Sequence, residues 1–173
     1  MLNKLITALF MDYKNAGKAY NAALKLGYQR DEINLLMSEE TTTKYGHNPR
    51  HKDASLSDEA IKGAGVGGAL GVTTGAITGA IIAMGAVLAI SGLSLVLSGP
   101  IAIALAGAGA GGIAGGLVGA LINIGISEDH VKNCVAEIKS GGILIALTPH
   151  SLKDYKTLEI EWNNYGGTIL MSK

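Results

Sequence analysis

Apolar and polar positions divide this chain into two patterned flanks and a middle that has no polar face. In the first flank, residues 5–11 are a short apolar run that Asp12 and Lys14 interrupt, and residues 2–10 predict an opening strand. Residues 13–26 place Ala16, Ala19, Tyr20, Ala23 and Leu24 on one side of a helix, with Gly27 at the C-cap position. Residues 32–37 predict a second strand. In the second flank, Ser127-Glu128-Asp129 sets a capping residue and two carboxylates at a helix start, where the macrodipole favours negative charge. Val131, Cys134, Val135 and Ile138 continue that helix to Gly141-Gly142. Residues 143–147 predict a buried strand stopped by Pro149. Ser151 caps a last helix, with Asp154 in the place of a capping-box acid. Its apolar face is Leu152, Tyr155, Leu158, Trp162 and Tyr165. Gly166-Gly167 ends it, and residues 168–171 form the closing strand.

The order is therefore βαβ, a long insertion, then αβ and αβ. Four strands and three helices suit an α+β fold: a ferredoxin-like split sheet with helices on one face and one extra helix–strand unit. The expected organisation is 1–37 as the first half of this domain, 38–62 as a polar linker, 63–126 as the insertion and 127–173 as the second half. Neither half buries its sheet alone, so the halves are expected to come together.

The 65 residues from Gly63 through Ser127 contain no Asp, Glu, Lys, Arg or His, and 18 of the 25 glycines lie there. Gly63, Gly67, Gly71, Gly75 and Gly79 are spaced by four, and so are Gly107, Gly111, Gly115 and Gly119. Turn chemistry falls at 91–100, with Pro100 suited to the first position of a helix. The block thus predicts a hairpin of two helices, 63–90 and 100–124, each longer than the roughly 20 residues that cross a bilayer. Glycine costs a water-exposed helix about 1 kcal/mol relative to alanine. In lipid, small residues instead let two backbones approach closely. The two rows are the expected helix-packing and oligomerisation surface, with Asn123 on the second row placed to hydrogen-bond across it. Two crossings return the chain to its starting side, and Lys44, Arg50, Lys52 and Lys62 are a weak positive-inside signal for a cytoplasmic domain.

Composition narrows the function. Fourteen basic and fourteen acidic side chains give no net charge, which excludes the basic stripe of a nucleic-acid binder. One cysteine excludes a disulfide framework. The first residues have no small-x-small cleavage pattern, so a cytoplasmic start is expected. His47 and His51 flank Pro49 in a loop without a third ligand. His130 and His150 sit beside helix starts, and Cys134 lies on an apolar helix face. Gly63-Ala64-Gly65-Val66-Gly67-Gly68 follows a polar linker and lacks the Lys-Ser or Lys-Thr of a phosphate loop. No acid, base and oxyanion site assemble, so no catalysis, cofactor, metal or small-molecule substrate is expected.

Several short motifs occur together in order: Ala22-Ala23-Leu24-Lys25-Leu26-Gly27-Tyr28, the glycine block, Gly125-Ile126-Ser127-Glu128, and residues 135–145 around Gly141-Gly142. This order resembles the bacterial general stress protein 17M-like (heat-induced stress protein) family, with Ser127 where that family commonly has proline. The resemblance implies a bacterial, membrane-associated, stress-linked protein without established catalysis, and it supplies no catalytic residues. The expectation is a homo-oligomer at the bacterial inner membrane, its α+β domain in the cytoplasm. The alternatives are a water-soluble cytoplasmic assembly with the apolar hairpins in its centre, or a ferredoxin-like sensor of a small ligand. A pore ranks lower, because the hairpin offers no ring of charge.

Overall fold

The computed structural model describes residues 5–44, 86–90, 93–102, 118–119, 121–122 and 126–170. Its strands are β1 (Ile6–Phe10), β2 (Asn34–Ser38), β3 (Ala86–Ile90), β4 (Leu93–Ser98), β5 (Ile143–Leu147) and β6 (Thr168–Ile169). Its helices are α1 (Tyr13–Lys25), α2 (Glu39–Lys44), α3 (Glu128–Lys139) and α4 (Leu152–Asn164), with short helical pieces at 100–102, 118–119 and 121–122. The protein is α+β. All the described strand pairs are antiparallel, and the sheet order is β3-β4-β2-β5-β1-β6.

The seven elements expected in the flanks all form, and local chemistry bounds them. Asp12 caps α1, its Oδ1 accepting from Asn15 N–H at 2.8 Å. Ser151 caps α4 in the same way, accepting from Asp154 N–H at 3.1 Å. Strand β5 lies between β1 and β2, with Leu9 opposite Leu144 and Leu36 opposite Leu144 on its two sides. The two halves of the chain therefore interleave in one sheet.

Both faces of that sheet are covered. Ile6, Ala8, Phe10, Leu35, Met37, Ile143, Ile145 and Leu147 pack on one face against α1 and α4, with Tyr20 and Trp162 at the centre. Leu9, Leu36, Leu95, Leu97, Leu144 and Ala146 point the other way, onto Val131, Cys134 and Ile138 of α3 and onto Ile101, Leu121 and Ile126. The period-two alternation within each strand sends side chains to both layers, so β1, β2 and β5 are buried along their whole length. Helix α3 thus covers the face opposite α1 and α4, which corrects the expectation of helices on one face only.

Four expectations along the chain are corrected. Residues 86–90, the end of the first expected helix of the 63–126 hairpin, are strand β3. Residues 93–98, the expected turn, are strand β4, which pairs with β2 through Leu36 opposite Leu97. The physical reason is that a short apolar run closed by Ser91-Gly92 fits a strand as readily as a helix end. Within the expected linker 38–62, residues 39–44 are helix α2. Ser38 caps it, accepting from Thr41 N–H at 3.1 Å, while Thr42 donates to Ser38 O at 3.1 Å. Leu152, expected on the apolar face of α4, is 60% exposed. Pro100 does begin a helical piece, as expected.

Connectivity changes with β3 and β4. Lys44 and Ala86 belong to the same sheet domain, as do Ala102, Leu121 and Ile126, while residues 45–85 and 103–117 lie outside the described residues. A hairpin crossing twice with its turn at 92–99 does not fit a sheet that contains that turn. Among the described residues, no helix is long and apolar enough to cross a membrane.

Candidate functional site

Of the expected packing residues, Gly63, Gly67, Gly71, Gly75, Gly79, Gly107, Gly111, Gly115 and Asn123 lie outside the described residues, as do His47 and His51. Gly119 is described and exposed, with open space where a Cβ would stand. Its neighbours Val118 and Ile122 are 41% and 38% exposed, while Leu121 is fully buried against the sheet. Leu121 O accepts from Ile126 N–H at 3.0 Å, which ties this piece to the start of the second flank. The C-terminal end of the second glycine row is thus held by its leucine, with Gly119 on the outward side.

The turn from β4 into the helical piece 100–102 is built on Asn34. Its side chain is buried in β2, donates to Ala146 O at 3.2 Å, and accepts from Ile101 N–H at 2.7 Å. A side-chain oxygen thereby satisfies one of the orphan amides at the start of the helical piece 100–102. Immediately before it, Gly99 has φ +85°, and a Cβ there would stand 2.4 Å from Ile33 O. Sequence reasoning missed this anchor. The available signal was one amide residue at the head of the otherwise apolar run Asn34-Leu35-Leu36-Met37.

A polar cluster joins the halves just beyond the same, C-terminal end of β5. The Tyr28 and His150 rings stack 4.3 Å apart at 25°. The Tyr28 hydroxyl donates to Asp154 Oδ2 at 3.2 Å and accepts from the His150 backbone N–H at 2.8 Å. The His150 ring Nε2 lies 2.9 Å from Glu32 Oε1. The Gln29 amide beside Glu32, and then the His150 ring, hold that carboxyl below its ordinary range. Burial first, and then the Asp154 and Glu32 charges, push the Tyr28 phenol up against the opposing effect of the His150 amide. Asp154 therefore serves Tyr28 across the fold. The cluster contains no nucleophile beside a base, and its bonds connect residues more than a hundred apart in sequence. Its physical work is to lock the two halves together.

The remaining candidates are structural. Trp162 is buried and donates from Nε1 to Ala19 O at 3.1 Å. His130 contacts the Ser127 hydroxyl through Nδ1 at 2.6 Å, so that hydroxyl faces the ring instead of capping α3. Cys134 is 2% exposed, and burial, with a smaller contribution from Glu137, pushes its thiol up to about 11. A thiolate is the reactive form. Cys134 is therefore expected to resist iodoacetamide at pH 8 in the folded protein and to react within minutes in denaturant, a contrast read by mass spectrometry. Among the described residues, no group of three His, Cys, Asp or Glu side chains is placed to hold a metal ion. No family model, curated protein or solved structure matches this chain.

Proposed function

We propose that this protein is a non-catalytic, membrane-associated scaffold that assembles with copies of itself through its two glycine rows. The observation that carries this reading is the charge-free block of residues 63–127 with its four-residue glycine spacing. The four-strand core β2-β5-β1-β6, with α1 and α4 sharing one face, is read as a ferredoxin-like domain that carries this block. Stretch 63–85 has 23 residues and stretch 103–117, ahead of the piece held by Leu121, has 15, so the first suffices for one crossing of roughly 20 and neither for two. Each returns to the same sheet, so both are proposed to enter the lipid from one side without spanning it. The domain stays on that side, at the cytoplasmic face of a bacterial inner membrane. The bacterial, stress-linked setting rests on the family resemblance.

Close backbone packing favours glycine at both rows, because a side chain at the contact separates the two helices. Gly71→Leu and Gly111→Leu are each expected to reduce the particle to a smaller species in detergent while leaving the far-UV spectrum of the α+β domain unchanged. Light scattering on the purified variants reads this out, and an unchanged mass would remove the glycine rows from the interface. A second reading, a water-soluble cytoplasmic assembly with the apolar segments in its centre, is favoured by the same return of both segments to one sheet. The two readings part at the need for detergent. The rival of a small-ligand sensor draws no support from the Tyr28–His150 cluster, which is closed on itself.

A further inference from the structure

We propose that the outer edge of β3 is a second assembly surface, where the strand pairs antiparallel with β3 of a second copy about a twofold axis at Leu88. The proposal deepens the self-assembly reading and rests on it, but it uses backbone hydrogen bonds instead of glycine packing. Strand β3 ends the sheet order, and among the described strands its partner is β4. Natural edge strands are guarded by charge, by proline or by shortness. The opposite edge is short, since β6 has two residues. Strand β3 has five residues, Ala-Val-Leu-Ala-Ile, with neither charge nor proline. Such a strand is a template for another of its kind.

Register selects the occupant. Ile90 pairs with Leu93 across the short link at 91–92. In a two-residue hairpin that closing pair exchanges hydrogen bonds, and the pattern then alternates along the ladder. Ala86, Leu88 and Ile90 therefore spend their backbone groups on β4, while Val87 and Ala89 direct theirs outward. A twofold axis at Leu88 sets Val87 of one copy opposite Ala89 of the other, so each outward N–H meets an outward C=O. Ala86 falls opposite Ile90, Val87 opposite Ala89, and Leu88 opposite Leu88 of the second copy. The contact is isologous and closes as a pair, which gives a sheet continuous across two copies.

Cysteine crosslinking of the full chain tests this register. The two copies of residue 88 would form a non-hydrogen-bonded pair about 4.5 Å apart at Cα, within the ~4.4–6.8 Å range that a disulfide spans. Residue 90 of one copy would lie about 14 Å from residue 90 of the other at roughly 3.4 Å per residue. Leu88→Cys is expected to give a covalent dimer on mild oxidation, while Ile90→Cys and the wild type, with Cys134 buried, give none. Adding Ala89→Pro removes an outward amide and spares the β4 ladder; it is expected to cut the Leu88→Cys dimer at least tenfold without changing the far-UV spectrum. Equal crosslinking at 88 and 90, or a Leu88→Cys dimer indifferent to Ala89→Pro, would overturn the proposal. Repeating the experiment with Gly71→Leu and Gly111→Leu distinguishes the two surfaces. A dimer linked at 88 that persists there supports the edge contact whatever the role of the glycine rows. Absence of the link in both backgrounds overturns the edge contact alone.

Discussion

Trp162→Ala is expected to lower the unfolding free energy by about 3–5 kcal/mol, the usual loss when a buried tryptophan is cut to a methyl. The side chain is fully buried between α1, α4 and β1. Its ring meets the Phe10 ring edge-on at 6.3 Å and 78°, and its N–H satisfies Ala19 O in α1. Alanine removes all three contributions and leaves a cavity where the two helices meet the sheet. Trp162→Phe keeps most of the volume and loses the hydrogen bond, so it is expected to cost less. Against a total stability of about 5–15 kcal/mol, this loss is a large fraction of what holds the fold together. Urea denaturation followed by circular dichroism measures both variants, and a midpoint unchanged in Trp162→Ala would contradict this view of the core.

Gly99→Ala is expected to cost about 2–5 kcal/mol. The left-handed backbone contributes roughly 1–2 kcal/mol for a residue with a Cβ, and overpacking adds typically 1–3 kcal/mol. The clash is with the Ile33 backbone, which cannot rotate away like a side chain. Relief requires Gly99 and Ile33 to separate, which would also disturb the Asn34 contact to Ile101 N–H. The effect therefore reaches beyond stability, since this is where the insertion meets the sheet. Amide exchange should speed up in β4 and at Ile101 and Ala102 before it does in β1 and β5. Uniform acceleration would contradict a local role for this turn.

The flanks were legible because each element there carried its own signal. Ser151 announced a helix start. Gly27, Gly141 and Gly166 announced stops, and each has a positive φ. Apolar spacing gave Ala16, Ala19, Tyr20 and Ala23 to the core, as found. Strands β3 and β4 were hidden by the glycine- and alanine-rich sequence around them. A strand buried on both faces has little polar alternation, so an apolar stretch reads equally as part of a membrane helix. A faint signal existed: Leu93, Leu95 and Leu97 alternate with Ser94, Val96 and Ser98, and Ser91-Gly92 separates this run from the apolar run 86–90. Asn34 and the Tyr28–His150 stack were illegible for another reason. Each acts on a partner more than sixty residues away, and no local periodicity reports that.

The central claim is that the charge-free block anchors a self-assembling protein in lipid, and cell fractionation tests it most directly. Membranes from expressing cells are washed with alkaline carbonate and then extracted with detergent. The account predicts retention through the wash and release by detergent as one discrete particle of several chains. Recovery in the supernatant without detergent, at any particle mass, would contradict it.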